Sequence, residues 1–97
     1  MSFREYELMF IVRPDAGSEV ARERTAFYRD LVEELGGTVH DVDEWGTRRL
    51  AYAIDDFEEG YYSILQFTGD EDLTRETDRR LKLDDTVMRF MIVNKEQ

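Results

Sequence analysis

The spacing of hydrophobic residues changes along this chain in an order that few folds can accommodate, and that order constrains the architecture more than any other feature. From Arg4 to Arg13, residues Tyr6, Leu8, Phe10 and Val12 recur at the two-residue period of a strand, with Glu5, Glu7, Met9 and Ile11 on the other side. A strand apolar on one side and mixed on the other belongs to a sheet covered on one face only. Pro14, the sole proline, ends it before Asp15-Ala16-Gly17. The spacing then turns helical. Ser18 is the expected N-cap, Val20, Phe27, Tyr28, Leu31 and Leu35 form the apolar stripe, and Gly36-Gly37 supply the stop.

Extended spacing returns over Thr38 to Ile54, which reads as one long bent strand with a bulge at Gly46. A polar, glycine-ended connection from Asp55 to Gly60 leads into a strand over Tyr61 to Phe67, so the two form an antiparallel hairpin. Thr68 to Glu71 matches a capping box and opens a second helix with Leu73, Thr77 and Leu81 on its inner side. Val87 to Val93 is the last strand; its apolar residues fill both parities, which leaves its facing open and is compatible with a bulge. Right-handed crossovers between the first and second strands, and between the third and fourth, place both helices on one face of a four-stranded antiparallel sheet. The expected fold is therefore α+β, a ferredoxin-like βαββαβ sandwich. With 97 residues and no repeat, linker or low-complexity segment, residues 1–97 are expected to form a single domain.

Composition narrows the chemistry. The chain lacks cysteine, which excludes disulfides, thiolate metal sites and a thiol nucleophile. Its longest apolar run, Leu8 to Val12, is far shorter than the roughly 20 residues of a spanning helix, and the N-terminus carries no signal pattern, so a soluble intracellular protein without membrane contact is expected. The formal net charge of −10 opposes a polyanionic partner at long range. Docking, however, is decided by the field within about 8–10 Å at ordinary salt, where clustered basic residues still meet phosphates. Apart from Lys82 and Lys95 the basic residues are arginines, whose planar fork suits phosphate. The acid surplus also fits adaptation to concentrated salt.

Catalysis and metal binding find no support in the sequence, and no cofactor is expected. His40 lies beside Asp41 and Asp43, but alternation sends Asp41 to the other face, and one imidazole without a second histidine or cysteine is a weak ligand set. The acidic runs at Asp41–Glu44, Asp55–Glu59 and Asp70–Asp72 lack the spacing of a calcium loop and read as solvated turns. RNA-recognition motifs share this element order, yet their basic-glycine-aromatic third strand is missing; here Glu59-Gly60-Tyr61-Tyr62-Ser63 offers only Tyr62 for stacking. Alternation puts Arg48 and Arg49 on opposite sides of the sheet. Arg49 and Arg89 suit phosphate contact if each lies near an open edge or face, the alternative being cross-strand pairing with carboxylates. Arg75, Arg79, Arg80 and Lys82 on the second helix read as a solvated face.

The segment Trp45-Gly46-Thr47-Arg48-Arg49-Leu50-Ala51-Tyr52-Ala53-Ile54, followed by Gly60-Tyr61-Tyr62, closely resembles the hallmark stretch of the family of the sixth protein of the bacterial small ribosomal subunit. The resemblance extends over nearly the whole chain: to Tyr6-Glu7 with the apolar residues after it and Pro14, to the first helix with its terminal glycine, and to Leu81 through Met91. It implies the ferredoxin-like fold, a place on the ribosome in the cytoplasm, no enzymatic activity, and assembly with the eighteenth small-subunit protein onto the central domain of small-subunit ribosomal RNA. It further implies RNA or partner contact by Arg4, Arg48, Arg49, Tyr52 and Arg89. The chain departs from the family at Asp84 and Met88, which stand where basic residues are common, and it stops at Gln97 without the longer tail of many relatives.

A ferredoxin-like domain also serves as a small-molecule regulatory module or as a dimeric enzyme built on paired sheets. Those readings predict self-association and a ligand pocket, whereas the ribosomal one predicts a chain that is monomeric in isolation. An acylphosphatase-like enzyme is disfavoured because no arginine-bearing phosphate loop follows the first strand.

Overall fold

The computed structural model describes residues 2–96; the chain end at Gln97 lies outside them. Strand β1 (Arg4–Val12) leads through a 3₁₀ turn (Pro14–Ala16) into helix α1 (Ser18–Glu34). Strands β2 (Thr38–Ile54) and β3 (Phe57–Gly69) form a long hairpin, followed by helix α2 (Glu71–Leu83) and strand β4 (Val87–Asn94). The strands make one antiparallel sheet in the order β2-β3-β1-β4 with the helices packed on one side, as the ferredoxin-like reading expects.

The core lies between sheet and helices. Tyr6, Leu8, Phe10 and Val12 of β1 meet Leu65 and Phe67 of β3, Ala21, Tyr28, Leu31 and Val32 of α1, and Leu73 and Leu81 of α2. The Tyr6 and Phe67 rings stack with centroids 5.5 Å apart. The stripe on α1 differs from the expected one: Val20 and Phe27 are only half-buried and Leu35 is exposed, while Ala21 and Thr25 are buried. Small residues hold the positions nearest the sheet, and the Thr25 hydroxyl shares a 2.8 Å hydrogen bond with that of buried Ser63. Burying two hydroxyls in an apolar layer is tolerated because they share that bond and the Thr25 hydroxyl also donates to the Ala21 carbonyl at 3.0 Å.

Both expected helix starts are displaced. Ser18 is the first helical residue and Gly17 takes the N-cap position without a side-chain bond, because the 3₁₀ turn after Pro14 delivers the chain to the helix there. On α2 the cap is Asp70, whose carboxylate accepts from the Leu73 amide at 2.8 Å; Thr68 remains in β3. The connection expected over Asp55 to Gly60 is shorter. Asp55 and Asp56 alone make the turn, both with positive φ (50° and 69°), the requirement of a two-residue hairpin whose twist matches its strands.

Bulges settle the remaining facings. Ile11 pairs with Arg89 and Val12 with Val87, so Met88 is an extra residue and the parity of β4 reverses there. Val87, Phe90 and Ile92 therefore all reach the core, which explains why the apolar residues of this strand occupy both parities. In β2 the register shifts between Glu44 and Gly46, as expected, and again between Val39 and Asp41 and between Arg49 and Ile54.

Candidate functional site

The face of the sheet away from the helices has no covering layer, and strand register places its residues in rows. One row runs Arg89, Ile11, Tyr62 and Gly46; the next Met91, Met9, Ile64 and Asp43; the next Val93, Glu7, Gln66 and Asp41. Its centre is apolar. Met91 is 51% exposed and Val93 41%, although both are large hydrophobic residues. Trp45, the extra residue of the β2 bulge, stacks on Tyr62 with centroids 5.9 Å apart and planes 19° from parallel, and its indole donates to Asp43 at 3.0 Å. The bulge turns on Gly46, whose φ of 79° a side-chain-bearing residue rarely adopts. Tyr62 thus has a stacking partner that strand alternation did not reveal.

The two ends of this face carry opposite chemistry. At one end Glu5, His40 and Thr68 form a polar cluster: His40 Nε2 lies 2.6 Å from the Thr68 hydroxyl and 3.9 Å from Glu5, while Thr68 donates to Glu5. Beside it Gln66 donates to Glu7 and accepts from Lys95, each at 2.8 Å. The bulge at His40 suspends the alternation expected there, so Asp41, paired with Gln66, shares the face of His40. No group of three or more metal-ligating residues occurs among the described residues.

At the other end the tip of the β2–β3 hairpin comes within side-chain reach of β4 and of Arg13. Gly60 leaves room for the Ile11 side chain of the neighbouring strand, since a Cβ there would overlap it. Tyr52 near the tip accepts a 2.8 Å hydrogen bond from Arg89 Nη1, and Phe57 lies 5.6 Å from the Arg13 guanidinium. Hydrogen bonding to Asp15, and then its charge, hold Arg13 above the ordinary arginine value.

Of the residues expected to make contacts, Tyr52 and Arg89 are brought together. Arg48, opposite Gly60, lies on the same strand side as Tyr62; Arg49, opposite Glu59, points the other way and pairs at 3.5 Å with Glu58. Arg4 stands apart: it opens β1, whereas Arg89 pairs with Ile11 near the far end, roughly 20 Å along the strand. Acids outnumber bases 23 to 13, and most arginines are taken by carboxylates, yet among the described residues Arg4, Arg22, Arg48 and Arg89 form no salt bridge. The second helix's basic residues all pair within their own helix, as a solvated face would.

Asp84 has a structural role. Its carboxylate accepts from the Tyr28 hydroxyl at 2.7 Å, from Arg24 at 3.3 Å and from the Thr86 hydroxyl and amide, tying α1 to the α2–β4 junction. Burial opposes its ionisation, but these donors outweigh it and keep the carboxyl below its ordinary value.

Comparison with known proteins adds an independent line. Residues 5–94 match the family model described as ribosomal protein S6. The chain is 42% identical over 94 residues to the small ribosomal subunit protein bS6 of Clostridium novyi, covering 97% of this chain and 99% of that one. To the protein of the same name from Natranaerobius thermophilus it is 37% identical over 93 residues, covering 96% and 97%. The crystal structure of 30S ribosomal protein S6 from Thermotoga maritima superposes with a TM-score of 0.92 at 26% identity, covering 98% of this chain and 90% of that one.

Proposed function

We propose that this chain, which belongs to the ribosomal protein S6 family and is thereby a non-enzymatic component of the small ribosomal subunit, works as a two-sided adaptor. Its arginine-bearing end meets small-subunit ribosomal RNA, and the apolar centre of its open face takes the eighteenth small-subunit protein. The whole chain, residues 1–97, acts as one domain in this reading, and it is monomeric until it meets that partner. Family membership leaves the regulatory-module and dimeric-enzyme readings without an observation in their favour.

The observation that carries the RNA contact is the set of arginines left without carboxylates in a chain so rich in acid. An exposed ion pair contributes little, so a surplus acid nearby costs little to recruit; arginines that stay clear of acids keep their donors for an external anion. At this end Arg48 and Arg89 are in that position, as are Arg22 and, at the opposite end of β1, Arg4, which offers a separate contact; Arg49 is held only by an exposed pair that a phosphate outcompetes. Tyr52 joins them through Arg89. The net charge of −10 makes long-range attraction by this chain weak, which fits joint binding with a partner that supplies part of the phosphate contact.

The test is replacement of Arg48, Arg49 and Arg89 together by alanine, followed by reconstitution with the partner and a central-domain RNA transcript. Incorporation should fall while the circular dichroism spectrum stays unchanged. Undiminished incorporation rejects these side chains as contacts, and a lost spectrum assigns them to the fold.

A further inference from the structure

The bent hairpin joins two residues that a flat sheet would hold apart. Tyr52 belongs to β2 and Arg89 to β4, the two edge strands of the order β2-β3-β1-β4. Three strand spacings separate those edges, about 14 Å, a gap that the two long side chains close together with the curl of the hairpin tip. Three features bend it. Regular pairing of β2 with β3 lapses between Arg49 and Ile54, Gly60 lets the strand lie close beside the Ile11 side chain, and Phe57 lies against the Arg13 guanidinium. The Arg89 guanidinium carbon also sits 5.8 Å from the centroid of the Tyr52 ring, within cation–π range.

The geometry points to Tyr52 as a positioning residue: it fixes the Arg89 guanidinium in advance, so that the donors left over present a fork to a backbone phosphate of RNA. Guanidinium has five N–H donors, and the bond from Nη1 to the Tyr52 hydroxyl uses one. The Nε and Nη2 side of the fork stays free, and no carboxylate claims it among the described residues. An arginine on an exposed strand otherwise loses considerable rotamer freedom on binding, and an internal bond made beforehand removes part of that loss. This inference rests on the RNA contact proposed above, and it deepens it by assigning Tyr52 to the arginine rather than to the RNA.

A double-mutant cycle separates the possibilities. With Arg89 intact, Tyr52→Phe should weaken binding of the central-domain transcript, in the presence of the partner protein, by roughly threefold. In the Arg89→Ala background the same change should have no effect. Arg89→Ala should lower the slope of log affinity against log salt by about one, while Tyr52→Phe leaves the slope unaltered, since it removes no charge contact. Equal losses in both backgrounds would show that Tyr52 touches RNA itself, and tighter binding by Tyr52→Phe would show that it masks Arg89; either overturns the inference. Nitrogen relaxation of the Arg89 Nε–H in the free chain needs no RNA. Greater mobility in Tyr52→Phe supports positioning even if Arg89→Ala leaves RNA binding untouched, a result that would count against the RNA reading alone. Unchanged mobility overturns positioning.

Discussion

On the helix-covered side of β1, Tyr6, Leu8, Phe10 and Val12 are sealed under two helices; on the other side Glu5, Glu7 and Met9 meet solvent while Ile11 is buried beside Gly60. Both sets come from the same nine residues and share the same backbone hydrogen bonds. The helix side satisfies its few polar groups internally, as Thr25 does with Ser63, and no buried side-chain polar atom lacks a partner among the described residues. The open side leaves Met91, Val93 and Trp45 uncovered, and among the described residues Arg48 and Arg89 stay out of ion pairs. In the reading proposed above, alternation lets one strand serve stability with one face and association with the other.

That division is measurable by matched truncations. Phe67→Ala on the covered face removes a fully buried ring that stacks on Tyr6, and should lower unfolding free energy by about 3–5 kcal/mol in urea titration. Met91→Ala on the open face should cost about 0.5 kcal/mol or less. Similar costs at the two sites would mean that the open face is a second core, and the contrast would fail.

Where Ile11 is buried beside Gly60 the open face becomes partly structural, and Gly60→Ala probes that boundary. The added methyl collides with the Ile11 side chain and approaches the Val12 carbonyl at 3.4 Å, so a loss of about 1–3 kcal/mol is expected by thermal or urea unfolding. Amide exchange from Arg49 to Phe57 should quicken, because the hairpin must shift to make room. A variant as stable as the parent would show that the Ile11 side chain does not need the space beside Gly60.

Much of this arrangement is legible in the sequence, and the losses have identifiable causes. The strand of Tyr6 to Val12 and the element order follow from periodicity, which depends only on which side chains must leave water. Bulges are harder, since one inserted residue reverses every facing beyond it. Gly46 gave its bulge away through its conformational freedom, but His40 and Met88 carry no such mark. The cap fell to Asp70 rather than Thr68 because β3 runs to Gly69, so chain length in the hairpin, and not side-chain preference, decided it. The site was partly legible for a related reason. Arginines within a matching motif can be named from sequence, yet the meeting of Tyr52 with Arg89 depends on a bend that no local spacing encodes.

The covered side also has an electrostatic anchor, and acid should loosen it. Asp84 is held below its ordinary value when folded, so its contribution is fully present above the unfolded carboxylate value near 4 and fades as pH falls from there towards the folded one. Glu76, bridged by Arg79 and Arg80, is lowered to about 2 and fades over the same acid range, though its exposure makes its share small. Asp84→Asn should cost about 1–2 kcal/mol at neutral pH, because Arg24 loses its charged partner and the Thr86 and Tyr28 bonds weaken. The difference between variant and parent should shrink as pH drops through 4 to 3. A gap that stays constant over that interval would remove Asp84 from the account.

Trp45→Ala should have a small effect on the isolated chain and the most informative one on assembly. The ring is 45% exposed and its main contact is the stack on Tyr62, so its loss should cost about 1 kcal/mol or less. A bulge that presents an indole on an uncovered face does little for stability, and large aromatics in such positions are characteristic of binding hot spots. Co-purification with the eighteenth small-subunit protein should therefore weaken by tenfold or more while the unfolding midpoint scarcely moves. If instead the midpoint falls as far as in Phe67→Ala and partner binding is unaltered, the indole belongs to the fold, and the two sides of the sheet do not divide the work between stability and association.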